Sequence, residues 1–279
     1  MIIKKITNRG ISGLLLLFFG IISINQVYCQ TMRELPPNLV DYDSERYHYG
    51  FTLSANFMGF SINTMDGYTK REYNAASVDS VFNFGSGTEM KIRNIQVVQS
   101  PGFSVGIVGN LRLGKYFDLR LIPGLTLAFR EVIFEFDEKK RTATDFTPYE
   151  LSDIHRESMK IESVFIDIPL MIKFKGQRVY NMRPYIIGGV EYKFDLLAVK
   201  ALQKKDVRKN DFVPLKPHDL YGTVGAGLDF YMFWFKLGVE IRMSYGMFDI
   251  INRDVKNTFC TRSIEDLKSK QFNITFTFE

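Results

Sequence analysis

YGTVGAGLDFYMFWFKLGVEIRMSYG, residues 221–246, alternates twice between an apolar and a polar face. In its first half Val224, Ala226, Leu228 and Phe230 share one side, against Thr223, Gly225, Gly227 and Asp229 on the other. An aromatic turn follows at Phe233–Trp234. Phe235, Leu237, Val239, Ile241 and Met243 then oppose Lys236, Gly238, Glu240, Arg242 and Ser244. Period two means strand, because successive Cβ atoms leave a strand on opposite sides. A soluble sheet would bury the apolar face and wet the charged one. If every strand repeats the pattern, no sequence remains to cover so much apolar surface. The alternative is a barrel with an apolar outside in lipid and a polar, filled lumen.

The pattern does repeat. Tyr49, Phe51, Leu53, Ala55 and Phe57 alternate with His48, Gly50, Thr52, Ser54 and Asn56 in a strand expected over Tyr47–Ile62. FSVGIVGNLRL from Phe103 is the next strand, with Met90–Gln99 as its extension, and Gly114-Lys115 is a tight connection to the one after. That third strand, Tyr116–Phe136, contains Pro123, which predicts a bulge or a missing ladder bond. SVFIDIPLMIKF, RPYIIGGVEYKFDLLAV, the two halves of the opening stretch and QFNITFTFE complete the set. The linkers Asn63–Gly87, Asp137–Arg156, Lys200–Asn210 and Asp249–Lys268 are polar and long, and they alternate with short turns. The fold expected is all-β: a transmembrane, antiparallel, up-and-down β-barrel of about eight strands, with long extracellular loops and short periplasmic turns.

Composition agrees. A mean hydropathy of −0.08 looks soluble, but alternating strands dilute hydropathy, so it does not exclude a membrane barrel. Lys4, Lys5 and Arg9 precede an apolar run from Ile11 to Ile24 that ends in Val27-Tyr28-Cys29. This is the layout of a secretory signal peptide over 1–29, cleaved before Gln30. Bulky Tyr28 argues against lipidation of Cys29, and the run is short of the roughly 20 residues of a membrane helix. Residues 30–46, with ELPPNLVDYD, read as a periplasmic lead-in, and 47–279 as the barrel. The mature chain keeps only Cys260, so an internal disulfide and a cysteine metal cluster are excluded.

A barrel of this size has an interior just wide enough for side chains to fill. The inward charges are Arg112, Asp118, Arg120, Arg130, Asp167, Lys173, Glu191, Lys193, Asp195, Asp229, Lys236, Glu240 and Arg242. Buried charges must be paired or they cost several kcal/mol each, so this mixed set predicts an ion-pair network that plugs the bore rather than a selective pore. No catalytic, cofactor or metal site is expected. His155 with Asp153 and Ser158 is three polar residues close together in a loop, and the glycines of GTVGAG are inward small residues on a strand with no helix after them. The partners expected are outer-membrane lipid and lipopolysaccharide, the latter met by the basic loop Lys200–Asn210; neither nucleic acid nor a small-molecule substrate is expected.

Several segments together resemble the PorT family, outer-membrane barrels of the Bacteroidota associated with the type IX secretion system. They are LPPNLVDYDSERYHYGFTLSANFMGF, SPGFSVGIVGNLRLGKYFDLRLIPGLTLAFR, ESVFIDIPLMIKFK, RPYIIGGVEYKFDL, DFYMFWFKLGVEIRMSYG and SIEDLKSKQFNITF. The resemblance runs over nearly the whole mature chain and implies a non-enzymatic part in protein export at the outer membrane, with other secretion-system subunits as partners. It supplies no catalytic residue. A general small barrel, serving adhesion or membrane integrity, has the same architecture and is the second expectation.

Overall fold

The computed structural model describes residues 37–70, 73–74, 89–139, 152–203, 215–253 and 263–279. The expected signal peptide, the start of the lead-in and the middles of the long connections lie outside the described residues. In chain order the strands are β1 (Tyr47–Thr64), β2 (Tyr73–Asn74), β3 (Glu89–Arg112), β4 (Phe117–Leu121), β5 (Gly124–Lys139) and β6 (Ser152–Lys175). They continue with β7 (Met182–Asp195), β8 (His218–Tyr231), β9 (Lys236–Gly246) and β10 (Ile264–Phe278). One helix, α1 (Leu196–Gln203), follows β7. No described helix is long and apolar enough to cross a membrane.

Each strand pairs antiparallel with its neighbours, and β1 pairs with both β3 and β10, so the sheet closes on itself. With β4 and β5 as one interrupted stave and the two-residue β2 set aside, the ring has eight staves. The interruption falls at Ile122–Pro123, where proline offers no N–H to the ladder. The Pro123 carbonyl still accepts from Ile107 N at 2.9 Å. The chain is therefore an up-and-down transmembrane β-barrel. The connections β3–β4, β6–β7 and β8–β9 are short and lie at one end, and the strand ends joined by the longer segments lie at the other.

Facing follows from the alternation. Val224 is 65% exposed and Ile241 52%, while Lys173 is 0% and Glu240 1%. In a soluble protein that order would be reversed; in a membrane the exposed apolar row meets lipid. The exposed Phe233 and Trp234 at the β8–β9 turn suit a membrane–water interface.

The polarity then inverts along the staves. On β6 the outward row runs from Phe174 to Val164 and changes to Glu162 and Lys160. On β10 it runs from Phe278 to Phe272 and changes to Lys270 and Lys268. Beyond that level the inside becomes apolar: Phe60, Ile92, Val132, Phe134, Phe136, Met159 and Leu267 form one buried cluster with Ile250, Ile251 and Ile264. A membrane strand needs about 9–11 residues, whereas β3 and β6 have 24 each. The surplus projects past the bilayer as an ordinary sheet, core inside and charge outside. There β3 parts from β1 above the Met58–Ser100 pair and lies against Gly59, where a Cβ would come 2.9 Å from the Gln99 Cγ.

Several boundaries differ from the sequence expectation, beginning with β1, which runs on to Thr64 and takes Asn63 and Thr64 out of the first linker. Asp137–Lys139 and Ser152–Arg156 are strand rather than loop, so His155 sits in β6 opposite Phe136. Ile264–Lys268 belongs to β10. The fifth expected strand stops at Asp195, and Leu196–Val199 is helical, with Lys200 inside α1 rather than in a loop. The β3–β4 connection takes four residues, 113–116, rather than two. Where charge content suggested loop, or apolar content suggested strand, the element followed whether a neighbouring strand was there to pair.

Candidate functional site

The lumen between the short turns and the apolar cap is the chemically distinctive part of the molecule. The inward positions of β4, β6, β7, β8 and β9 carry most of the charge and place opposite signs on different staves. Arg120 reaches across the bore to Glu240 on β9 (3.0 Å) and to Glu279, the residue after β10 (2.8 Å). Glu240 also meets Arg242 Nε at 2.9 Å and accepts from the Tyr185 hydroxyl at 2.9 Å. Lys236 pairs with Glu279. Lys173 passes over β7 to Asp229 (2.7 Å), with its ammonium 3.6 Å from the Tyr185 ring centre.

A second group lies nearer the cap. Lys193 pairs with Asp167 (2.9 Å) and Glu191 (2.8 Å); Asp167 also accepts from Thr126. Arg130 meets Asp195 at 3.5 Å, and Asp195 caps α1 by accepting from Leu197 N (2.9 Å) and Ala198 N (3.1 Å). At the short-turn end, Asp118 pairs with Lys175 at 2.7 Å. Of the thirteen residues proposed from sequence, twelve are buried. Arg112 is half-buried at the end of β3, and its Nε donates to the Gly114 carbonyl (3.2 Å).

Glu279, Tyr185 and Lys175 belong to the same constellation and are absent from that set. Glu279 was legible: it continues the inward phase of Thr275 and Thr277. The inward glycines of β8 have a spatial reason. A Cβ on Gly227 would sit 2.5 Å from the Tyr185 ring, and one on Gly225 would sit 2.9 Å from the Arg242 Cγ. The histidine candidate does not assemble: the His155 ring meets Glu157 (2.7 Å), while Ser158 leaves on the opposite face toward Glu131. A cavity of about 30 Å³ beside Thr126, Asp167, Glu191 and Arg242 has room for one or two waters. It is too small to be a conduit.

The lead-in closes the mouth at the short-turn end. Residues 37–46 cross from β1 to β7 and β8 on the far side of the ring, with a 3-10 turn at Val40–Asp43. The Tyr42 hydroxyl donates to Glu279 (2.8 Å), and its ring stacks on His48 with centres 3.9 Å apart. Asp43 takes a two-pronged bond from Arg183 (2.7 and 2.8 Å). Asn38 accepts from Arg178 through its carbonyl, and its side-chain amide donates to the Tyr231 carbonyl (3.0 Å). Burial and the Glu279 carboxylate push the Tyr42 phenol up, so it stays a donor.

Partial burial raises the Asp43 pKa, but the Arg183 bond and charge more than offset this and hold it below the ordinary carboxylate value. A depressed folded-state pKa contributes stability above the unfolded value, and that contribution is lost as pH falls through the folded one. Docking of this strap, residues 37–46, is therefore expected to be constant from neutral pH down to about 4, and to weaken below that. Hydrogen exchange of the strap amides against pH, corrected for the intrinsic exchange rate, reads this directly. An onset above pH 5 would assign the change to another group.

A family model described as "Outer membrane protein beta-barrel domain" matches residues 30–252. No curated protein matches the chain. Among solved structures, Neisserial surface protein A is 11% identical, with 84% of this chain and 98% of that chain covered and a TM-score of 0.37. The outer membrane protein OprG from Pseudomonas aeruginosa is also 11% identical, with coverage of 82% and 94% and a TM-score of 0.36. Ail, the attachment invasion locus protein of Yersinia pestis solved with the heparin analogue sucrose octasulfate, is 8% identical, with coverage of 84% and 98% and a TM-score of 0.31.

Proposed function

The chain belongs to the outer membrane protein beta-barrel domain family, and from that premise we propose that it is a non-enzymatic, non-conducting component of protein export by a type IX secretion system. Its work lies in translocon assembly or in binding partner subunits. The observation that carries this reading is the bore itself, cross-braced by Arg120–Glu240, Arg120–Glu279 and Lys173–Asp229 and covered at one mouth by residues 37–46. A braced bore leaves the two ends of the barrel and its outer wall as the working surfaces. The segments that resemble the PorT family, running from Leu35 to Phe276, supply the export role. On this reading the leader over 1–29 is removed, the short-turn end faces the periplasm and the basic stretch Lys200–Asn210, most of which lies outside the described residues, meets lipopolysaccharide.

Deletion in the native host tests the role. Loss of cargo secretion with an intact envelope, restored by the wild-type chain, is the expected result. Intact secretion with a leaky or non-adherent envelope would replace it by the general small-barrel role. Reconstitution in planar bilayers tests the braced bore separately: no stable single-channel steps are expected at neutral pH. Reproducible ion-selective steps would move the inward charges to a transport function. Co-purification from native membranes identifies the subunit bound.

A further inference from the structure

The strap is attached in an unusual way. Among the described residues, its backbone hydrogen bonds over 37–45 are internal: Tyr42 N to the Leu39 carbonyl (3.2 Å) and Ser44 N to the Asp41 carbonyl (2.9 Å). The first backbone–backbone bond to the wall is at Arg46, whose carbonyl accepts from Arg112 N (2.9 Å). Everything before it is held by side chains. A segment outside the ladder can leave without unzipping a strand, which places it at the low end of local stability. Leu39 adds to this, because its φ of 49° is the left-handed region that a branched side chain avoids.

The groups that receive the strap belong to the barrel, and Glu279, Tyr231 and Asn181 have barrel partners of their own. Glu279 is held by Lys236 and Arg120 and accepts from Asn110 (3.0 Å). Tyr231, which floors the mouth, carries Arg178 over its ring at 3.8 Å and Arg183 at 5.6 Å. Asn181 presents its side-chain oxygen to Asn38 N (2.8 Å). The mouth thus offers a carboxylate aimed at a phenol, a guanidinium fork aimed at a carboxylate, and an amide with an arginine aimed at an asparagine. These are the parts of a peptide-recognition site.

We propose that the short-turn mouth is a binding site for a peptide bearing an asparagine and, four and five residues later, an aromatic–acidic pair carried on a 3-10 turn. The strap, with Asn38, Tyr42 and Asp43, is its resident and releasable occupant. A partner segment of the same chemistry displaces the strap and takes its place. The proposal does not depend on the export role, because the recognition groups are the same whatever the barrel serves.

A fluorescent peptide copying residues 37–46 tests it on the full chain in micelles by anisotropy. The tethered strap competes at an effective concentration of roughly millimolar, so weak or no binding is expected for the unaltered chain. With the strap weakened by Asp43→Ala, or by Asn38→Ala with Asp43→Ala, the wall is intact and the peptide should bind about tenfold tighter or better. The same peptide carrying Tyr42→Ala and Asp43→Ala should not bind these chains, nor should the unaltered copy bind a strap-weakened chain that also carries Arg183→Ala. Heat-modifiability on gels confirms that each barrel is folded. Absence of binding to both strap-weakened chains, or equal binding of the two peptides, would overturn the proposal.

Discussion

Glu240→Ala is expected to lower the stability of the folded barrel by about 3–5 kcal/mol, the cost of leaving buried cations without their counter-charge. Glu240 stands among Arg120, Arg242 and Lys236, with Glu279 the other acid in that group. Its removal leaves three cations facing one carboxylate in a part of the lumen with no exposure to water, where Arg120 is 0% exposed. It also strips the acceptor from the Tyr185 hydroxyl. Glu240→Gln should be milder, since the amide oxygen still accepts from Arg120 or Tyr185. Urea unfolding in micelles, with heat-modifiability as the check on folding, measures both. A soluble sheet with Glu240 in water would make the alanine variant nearly silent, within about 0.5 kcal/mol. Such a result would remove the ion-pair brace from the account of the bore.

Ile241→Arg tests the opposite face of the same strand. Ile241 lies midway along the outward row Leu237, Val239, Ile241, Met243 and Tyr245, so its side chain meets the middle of the hydrocarbon. A basic residue at that depth costs about 2–4 kcal/mol, falling to about 0–1 near the interface. Tyr245→Arg, at the cap end of the same row, should therefore be tolerated. The gradient carries the test: equal penalties at 241 and 245 would place the bilayer elsewhere on the molecule.

Much of this was legible before any coordinates. The two faces of residues 221–246 required only the period of the strand, and the exposed row at Val224, Leu228 and Ile241 is the apolar row read from the chain. Pro123 interrupts its stave because a missing N–H is a property of the residue alone. Pairing was less legible. By strand phase alone, Lys193 and Arg242 both share the inward side with Glu240. Arg242, two residues along the same face, is one of its contacts, while Lys193 on β7 goes to Asp167 and Glu191 instead. The main partner, Arg120, lies 120 residues away across the bore.

By itself the sequence determined the class of solvent on each face, because burying or wetting a side chain depends on residue type and strand period, both local. It also determined that the lumen would hold balanced charge. Closure of the ring decided which charges meet, since contacts across a bore depend on stagger and depth, which no single strand encodes. The inversion to an apolar cap above Val164 and Phe272 arose only where the staves outgrow the bilayer and water replaces lipid outside them. The strap needed the mouth to exist first: residues 37–43 have no periodicity of their own, and their place is set by Glu279, Arg183 and Asn181, which the closed barrel brings together.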